Sequence, residues 1–331
     1  MGDMNSRKIA EEIIEECERL GRRAYEIAKE TILKKDLECN QINEAIKYFI
    51  ESWHNFHHPA LLAIACEAVG GKPEKTTIVG AALVLLTGAA DLHDDIIDGS
   101  RYKGSKATIF GKFGVDIALL TGDALLFEGV RLLDVACRDF PKRKGETIKE
   151  IIENGFTELG VAEAMEASFK RDWNTAPEKY LEVLRRKAAV SEATAWTGAI
   201  IGNATQPKIK DWRKIGRSLG MLMSFRDEFI DIFEVEELKN RRDNECLPLP
   251  ILYALCDQDS RVKILDILKK ETLSEDDAFK VAEIVSKTKT VKEFEIEIQN
   301  LANKTCQKLK KYNSNNINTL IKMASSVLED L

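Results

Sequence analysis

The sequence predicts an all-α protein built as a bundle of long helices. Three observations carry that reading: almost every segment repeats its apolar residues at period 3.6, almost none alternates at period 2, and the helix breakers fall between the periodic runs. Taken in order, the spacing predicts helices over 4–34, 40–54, 59–70 and 74–98, then over 114–139, 145–172, 177–203 and 209–240. Shorter and more polar runs at 248–257, 261–271, 274–287, 289–312 and 315–329 read as an outer layer. Pro59, Pro73, Pro141, Pro177 and Pro207 stand at or near predicted starts, where the missing N–H does no harm. Gly70-Gly71 ends one helix through the left-handed region, and "GSRYKGSK" (99–106) is the glycine- and serine-rich loop after the fourth. No linker or low-complexity stretch divides the chain, so residues 1–331 read as one domain whose ligand site lies in the bundle core.

Composition narrows the function. The 331 residues are 44% hydrophobic and 31% charged, enough for a substantial core. A net charge of −6, with no basic block interleaved with aromatics, argues against a nucleic-acid partner. Seven scattered cysteines without a CxxC pair suggest reduced thiols and a cytoplasmic location. No apolar run approaches the ~20 residues of a membrane span, so the expectation is a soluble protein that does not cross a membrane.

The chemistry concentrates in "AADLHDDIID" (89–98) and "SFRDEFIDIF" (224–233). Asp94 and Asp98 lie four residues apart on one helical face, with Asp95 about 100° around. Asp227 and Asp231 repeat the spacing, with Glu228 in the place of Asp95. Like charges so placed repel, and burying them unpaired costs several kcal/mol each. The flanking "VGAALVLLTGAA" is too apolar for a surface face, so a cation must sit between the two segments. Oxygen-only donors without clustered histidine or cysteine favour Mg²⁺, which keeps positions open for water or phosphate. A phosphorylated ligand follows.

On these residues the chain resembles the all-trans polyprenyl diphosphate synthase family. "LHDDIID" matches that family's first DDxxD motif and "RDEFID" its second, as a DExxD variant. "PALLAIACEAVGG" (59–71), "FGVDIALLTGDALL" (113–126), "VLRRKAAVSEATAWTGAIIG" (183–202) and "IGRSLGM" (215–221) follow family segments in order. The resemblance implies long antiparallel helices around a deep apolar cavity, an allylic prenyl diphosphate substrate and three Mg²⁺ ions. It implies metal ligands at Asp94, Asp98, Asp227, Glu228 and Asp231, with Asp95 in the same catalytic group. Lys187, Arg241, Arg242, Lys239 and Arg101 are the expected diphosphate contacts. Ala89 and Ala90 stand where bulky residues stop chain growth in the family, with Leu83 and Leu86 as floor and Phe110, Trp196, Phe225 and Phe229 as cavity rings. Family members are usually homodimers, and a heterodimer with another prenyl synthase is also conceivable.

Departures from the family fall on the second substrate, isopentenyl diphosphate. The family's GKRxRP grip reads "HNFHHP" here, with Asn55, Phe56 and His58 in place of three cations, and its histidine before the first motif is Thr87. Its RRGxPT stretch becomes Lys103-Gly104-Ser105-Lys106-Ala107-Thr108. Losing three charge-assisted bonds at roughly 1.5–3 kcal/mol each weakens acceptor binding by about 4–9 kcal/mol. An ionised allylic diphosphate without an acceptor has only intramolecular fates, so the leading expectation is a class I terpene synthase that acts on a C15–C25 substrate such as geranylgeranyl diphosphate. The alternatives are an elongating synthase whose acceptor site is rebuilt from His57, His58, Lys103, Lys106 and Lys187, and a catalytically weak partner subunit.

Overall fold

The computed structural model describes residues 2–35 and 37–328. Its helices are α1 (Gly2–Leu33), α2 (Asn40–Ser52), α3 (His57–Ala68), α4 (Thr77–Ile97), α5 (Ile109–Phe113), α6 (Val115–Arg138), α7 (Lys142–Ala167) and α8 (Pro177–Lys187). They continue with α9 (Ala189–Ile201), α10 (Gln206–Ile230), α11 (Val235–Asn244), α12 (Leu249–Ala254), α13 (Gln258–Leu268), α14 (Glu275–Lys287), α15 (Lys289–Leu309) and α16 (Ile317–Ser325). The all-α expectation holds. Among the described residues the one sheet is a hairpin after α4, β1 (Tyr102–Lys103) antiparallel to β2 (Lys106–Ala107).

Every residue of α4 from Val79 to Ala89 is buried, and α1, α3 and α6 pack around it. Together with the turn before it, this segment (Pro73–Ile97) is long and apolar enough to cross a membrane, with mean hydropathy 1.4, which corrects the expectation that no run approaches that length. Because 72% of its most apolar window is buried inside the bundle, it has the character of a core helix. Two glycines let α6 cross it closely: a Cβ on Gly122 would stand 2.6 Å from His93 Nε2, and one on Gly129 would stand 2.9 Å from Leu86. That close crossing fixes α6 against the α4 turns leading to Asp94.

Two predicted runs are interrupted. The run 177–203 turns at Ala188 (φ −67°, ψ −3°), a tightened turn that redirects the chain just after Lys187. The run 209–240 stops after Ile230, with Asp231 as the C-cap, and restarts at Val235. Periodicity averages over such single-residue bends. The short α5 falls between the predicted runs 74–98 and 114–139; it is held by Thr108, whose hydroxyl accepts the Gly111 N–H at 2.9 Å.

Candidate active site

The last turns of α4 bring the first acidic motif against α7, α8 and the hairpin. Lys103 of the hairpin lies 2.8 Å from the Asp95 carboxylate. Lys170, which follows α7, lies 3.5 Å from Asp98 and donates to the Ile97 carbonyl. Lys187 lies 3.2 Å from Glu163, pairs closely with Glu166, and holds Asp94 below the usual carboxylate range against the opposing effect of burial. Six acids (Asp91, Asp94, Asp95, Asp98, Glu163 and Glu166) thus share three lysines. The shortage of cation shows in their protonation. Burial pushes Asp95 up to about 6 despite Lys103. Asp98 rises to about 7 through burial and then through Asp94 and Glu166, and Glu163 rises to about 9 through burial.

Glu163, Glu166 and Lys170 escaped the sequence reading. Glu166 was visible in principle, since it continues the buried stripe Ile148, Ile152, Gly155, Ala162 of α7 at helical spacing.

The second motif divides between two tasks. Asp227 is exposed and Asp231 half-buried at the end of α10, and burial raises Asp231 to about 8. Glu228 turns inward. It accepts hydrogen bonds from Arg241 at 2.9 and 3.0 Å, from Tyr180 at 2.9 Å and from the Leu249 N–H at 2.6 Å. Its expected metal role is therefore corrected: both carboxylate oxygens are occupied by protein donors.

Arg241 is likewise corrected from diphosphate contact to buried counter-ion. It also bonds the Tyr180 oxygen at 2.7 Å and lies 3.3 Å from Glu245 and 3.8 Å from Asp231. With Glu166, whose carboxylate meets the Tyr180 hydroxyl at 2.8 Å, these groups join α7, α8, α10 and α11 beneath the acids.

Other expected contacts lie elsewhere. Arg242 pairs with Asp243 at 2.6 Å and donates to the Lys270 carbonyl at 2.9 Å, so it braces the outer layer instead of meeting a diphosphate. Lys239 faces Glu236 at 3.7 Å. The Arg101 guanidinium sits 4.8 Å over the Phe110 ring, which occupies that face of the ring. Trp196, expected as a cavity ring, instead carries the Arg213 guanidinium on its face at 3.9 Å. Phe225 and Phe229 pack against Phe294 of α15, with ring centroids at 5.2 and 6.2 Å, which places them in the second layer of the core. Leu83, Leu86 and Ala89 are buried, and Ala90 is the first partly exposed residue after the buried run 79–89 of α4.

The segment that replaces the family's acceptor grip is built into the core. Asn55 donates to Thr87 at 3.1 Å, and His58 Nδ1 lies 3.3 Å from the Thr194 hydroxyl. Burial lowers His58 well below its ordinary value, so it offers no positive charge at neutral pH, while its neighbour His57 is exposed. A small pocket of about 110 Å³ opens beside it, between α2, α4 and the hairpin, lined by Trp53, Asp91, Lys103, Lys106 and Thr108. Trp53 Nε1 donates to Asp91 at 2.5 Å.

The donors suit Mg²⁺. Asp94 Oδ1 is buried with no hydrogen-bond partner, and the exposed or half-buried acids are all carboxylates. Among the described residues no three potential ligands already form a cage, and Mg²⁺ commonly takes one or two carboxylates together with substrate phosphates and water. Asp94, Asp98, Asp227 and Asp231 are the motif carboxylates that would hold it, Glu228 being taken up by protein donors.

Residues 39–285 match the family model described as Polyprenyl synthetase. Over 271 residues the chain is 25% identical to a geranylgeranyl diphosphate synthase of Sulfolobus acidocaldarius, covering 75% of this chain and 82% of that one. It is 29% identical over 225 residues to the Arabidopsis thaliana protein named heterodimeric geranylgeranyl pyrophosphate synthase large subunit 1, covering 63% of this chain and 61% of that one. The crystal structure of geranylgeranyl pyrophosphate synthetase from Pyrococcus horikoshii superposes with a TM-score of 0.84 at 21% identity, over 96% of this chain and 98% of that one. These names overturn the terpene synthase expectation, because a diphosphate synthase yields a product that keeps a diphosphate whereas a cyclase expels the only one its substrate has. The motif pair, the helical fold and the family match over most of its length agree: the chain belongs to the polyprenyl synthetase family.

Proposed function

We propose that the chain is a Mg²⁺-dependent prenyltransferase that joins an all-trans allylic diphosphate to isopentenyl diphosphate, giving a product of about geranylgeranyl length. The observation that supports this most is the set of relatives named for diphosphate products, read with the acid cluster retained at the end of α4. Bound Mg²⁺, up to three ions, would neutralise the charge developing on the departing diphosphate. Lys187 and Lys170, now on carboxylates, are the nearby cations for that charge.

The acceptor needs a different grip from the family's. His58 is buried and neutral, and Lys187 is committed to Glu163 and Glu166. Lys103, paired with Asp95, and Lys106 line the pocket beside α2, and among the described residues Lys106 has no carboxylate within 4 Å. We assign the acceptor diphosphate to these hairpin lysines. A homodimer is part of the same reading: Val115, Leu119, Leu120, Phe127 and Val130 leave an exposed apolar face along α6.

Incubation of the protein with Mg²⁺, farnesyl diphosphate and labelled isopentenyl diphosphate tests the assignment. Label should enter a longer diphosphate only when both substrates are present; a volatile product formed from the allylic diphosphate alone would reject it.

A further inference from the structure

Toward the end of α10 away from Asp227 lies a second charged site. Along α10, Lys210, Arg213, Lys214 and Arg217 follow one another at i, i+3, i+4 and i+7, so they share one face. Arg185 at the end of α8 and Lys308 on α15 close the sides of a groove of about 530 Å³. Glu192 is the only carboxylate in its lining, and it is already bonded by Arg213 at 2.9 Å and Arg217 at 2.7 Å. Among the described residues, Lys210, Lys214 and Lys308 have no carboxylate within 4 Å. Burial and the charge of Lys214 push the Lys308 ammonium below its ordinary value, against the opposing charge of Asp211. A protein of net charge −6 has not acquired this patch through a general excess of lysine.

We propose that this groove binds a ligand bearing two or more phosphate groups, at a site separate from the acid cluster. Lys214 and Asp227 are thirteen residues apart on α10, about 20 Å along the helix. The two sites are nonetheless connected. Arg217 bonds Glu158 of α7 at 3.0 Å and the Arg185 carbonyl of α8 at 2.8 Å, two residues before Lys187. An anion that draws Arg217 outward therefore pulls on the helices that carry Glu163, Lys187 and Asp227.

Trp196, under Arg213 at the groove, supplies the readout. In EDTA, where the acid cluster repels anions, inorganic tripolyphosphate should quench the tryptophan fluorescence saturably, with calorimetry giving the same dissociation constant. The double charge reversal Lys210→Glu with Lys214→Glu lies on exposed helix surface and should weaken binding by about tenfold or more. Trp196→Phe should remove the optical signal and keep the calorimetric one. If vesicles of phosphatidylcholine with phosphatidic acid give the quench and tripolyphosphate does not, the phosphate is lipid-borne and the groove assignment stands, provided the double variant abolishes it. No heat or quench with either probe, or binding undiminished in the double variant, would overturn the proposal.

Discussion

Glu228 and Asp231 sit three residues apart on α10 and meet opposite surroundings. Glu228 faces Arg241, Tyr180 and a backbone N–H, whereas Asp231 is raised to about 8 by burial that Arg241 only partly offsets. Glu228→Gln should cost about 3–5 kcal/mol in urea unfolding, because it breaks a buried ion pair from one side. Asp231→Asn should raise the thermal midpoint of the metal-free protein at pH 8.5 while lowering kcat at least about 100-fold. The family resemblance gives both acids a metal role, and only the neighbours of Glu228 on α8, α11 and α12 separate them. The raised acids also set a pH dependence. Asp98, Asp231 and Glu163 hold protons in the fold up to about 7, 8 and 9, whereas the unfolded chain releases them near 4. The folded state binds more protons, so stability falls as pH rises across that interval. Differential scanning in EDTA should show the midpoint dropping between pH 6.5 and 9, and Mg²⁺ should raise it most at the alkaline end.

Between elements, the junction of α2 and α3 shows how a substrate grip becomes core. Asn55 and His58 bond to Thr87 and Thr194, tying the junction to α4 and α9. His58 is kept neutral by burial, so the folded state binds fewer protons than the unfolded chain below about 6.5, and stability is lost as pH falls through that range. His58→Asn should flatten that acid limb in chemical denaturation at pH 5 relative to pH 7.5; an unchanged slope would mean that His58 is protonated in the fold. The loss of cations from this segment was legible, because lysine and arginine are simply absent from it. Lys103 and Lys106 were legible as candidates for a rebuilt grip; the hairpin that holds them was not, since β1 and β2 are two residues each and leave no period-2 signal. The same limit hid the bends at Ala188 and Asp231, while the long runs such as α4, α6 and α7 were plain from their apolar repeats.

For the molecule as a whole, charge and apolar surface are segregated: carboxylates at the end of α4, cations along α10, and an exposed apolar stripe on α6. Phe127, 73% exposed, is the largest side chain of that stripe. Phe127→Glu should shift the protein to a monomer in light scattering, and an unchanged mass would place any dimer contact elsewhere. What the sequence could not supply at this scale was the balance between a defective and a relocated acceptor site. The most direct test is the steady-state kinetics of Lys106→Ala with each substrate varied in turn. The KM for isopentenyl diphosphate should rise about tenfold or more, as expected for losing one charge-assisted contact, while the KM for the allylic diphosphate stays within about twofold. An unchanged KM for isopentenyl diphosphate, or an equal rise in both, would contradict the assignment of the acceptor to the hairpin.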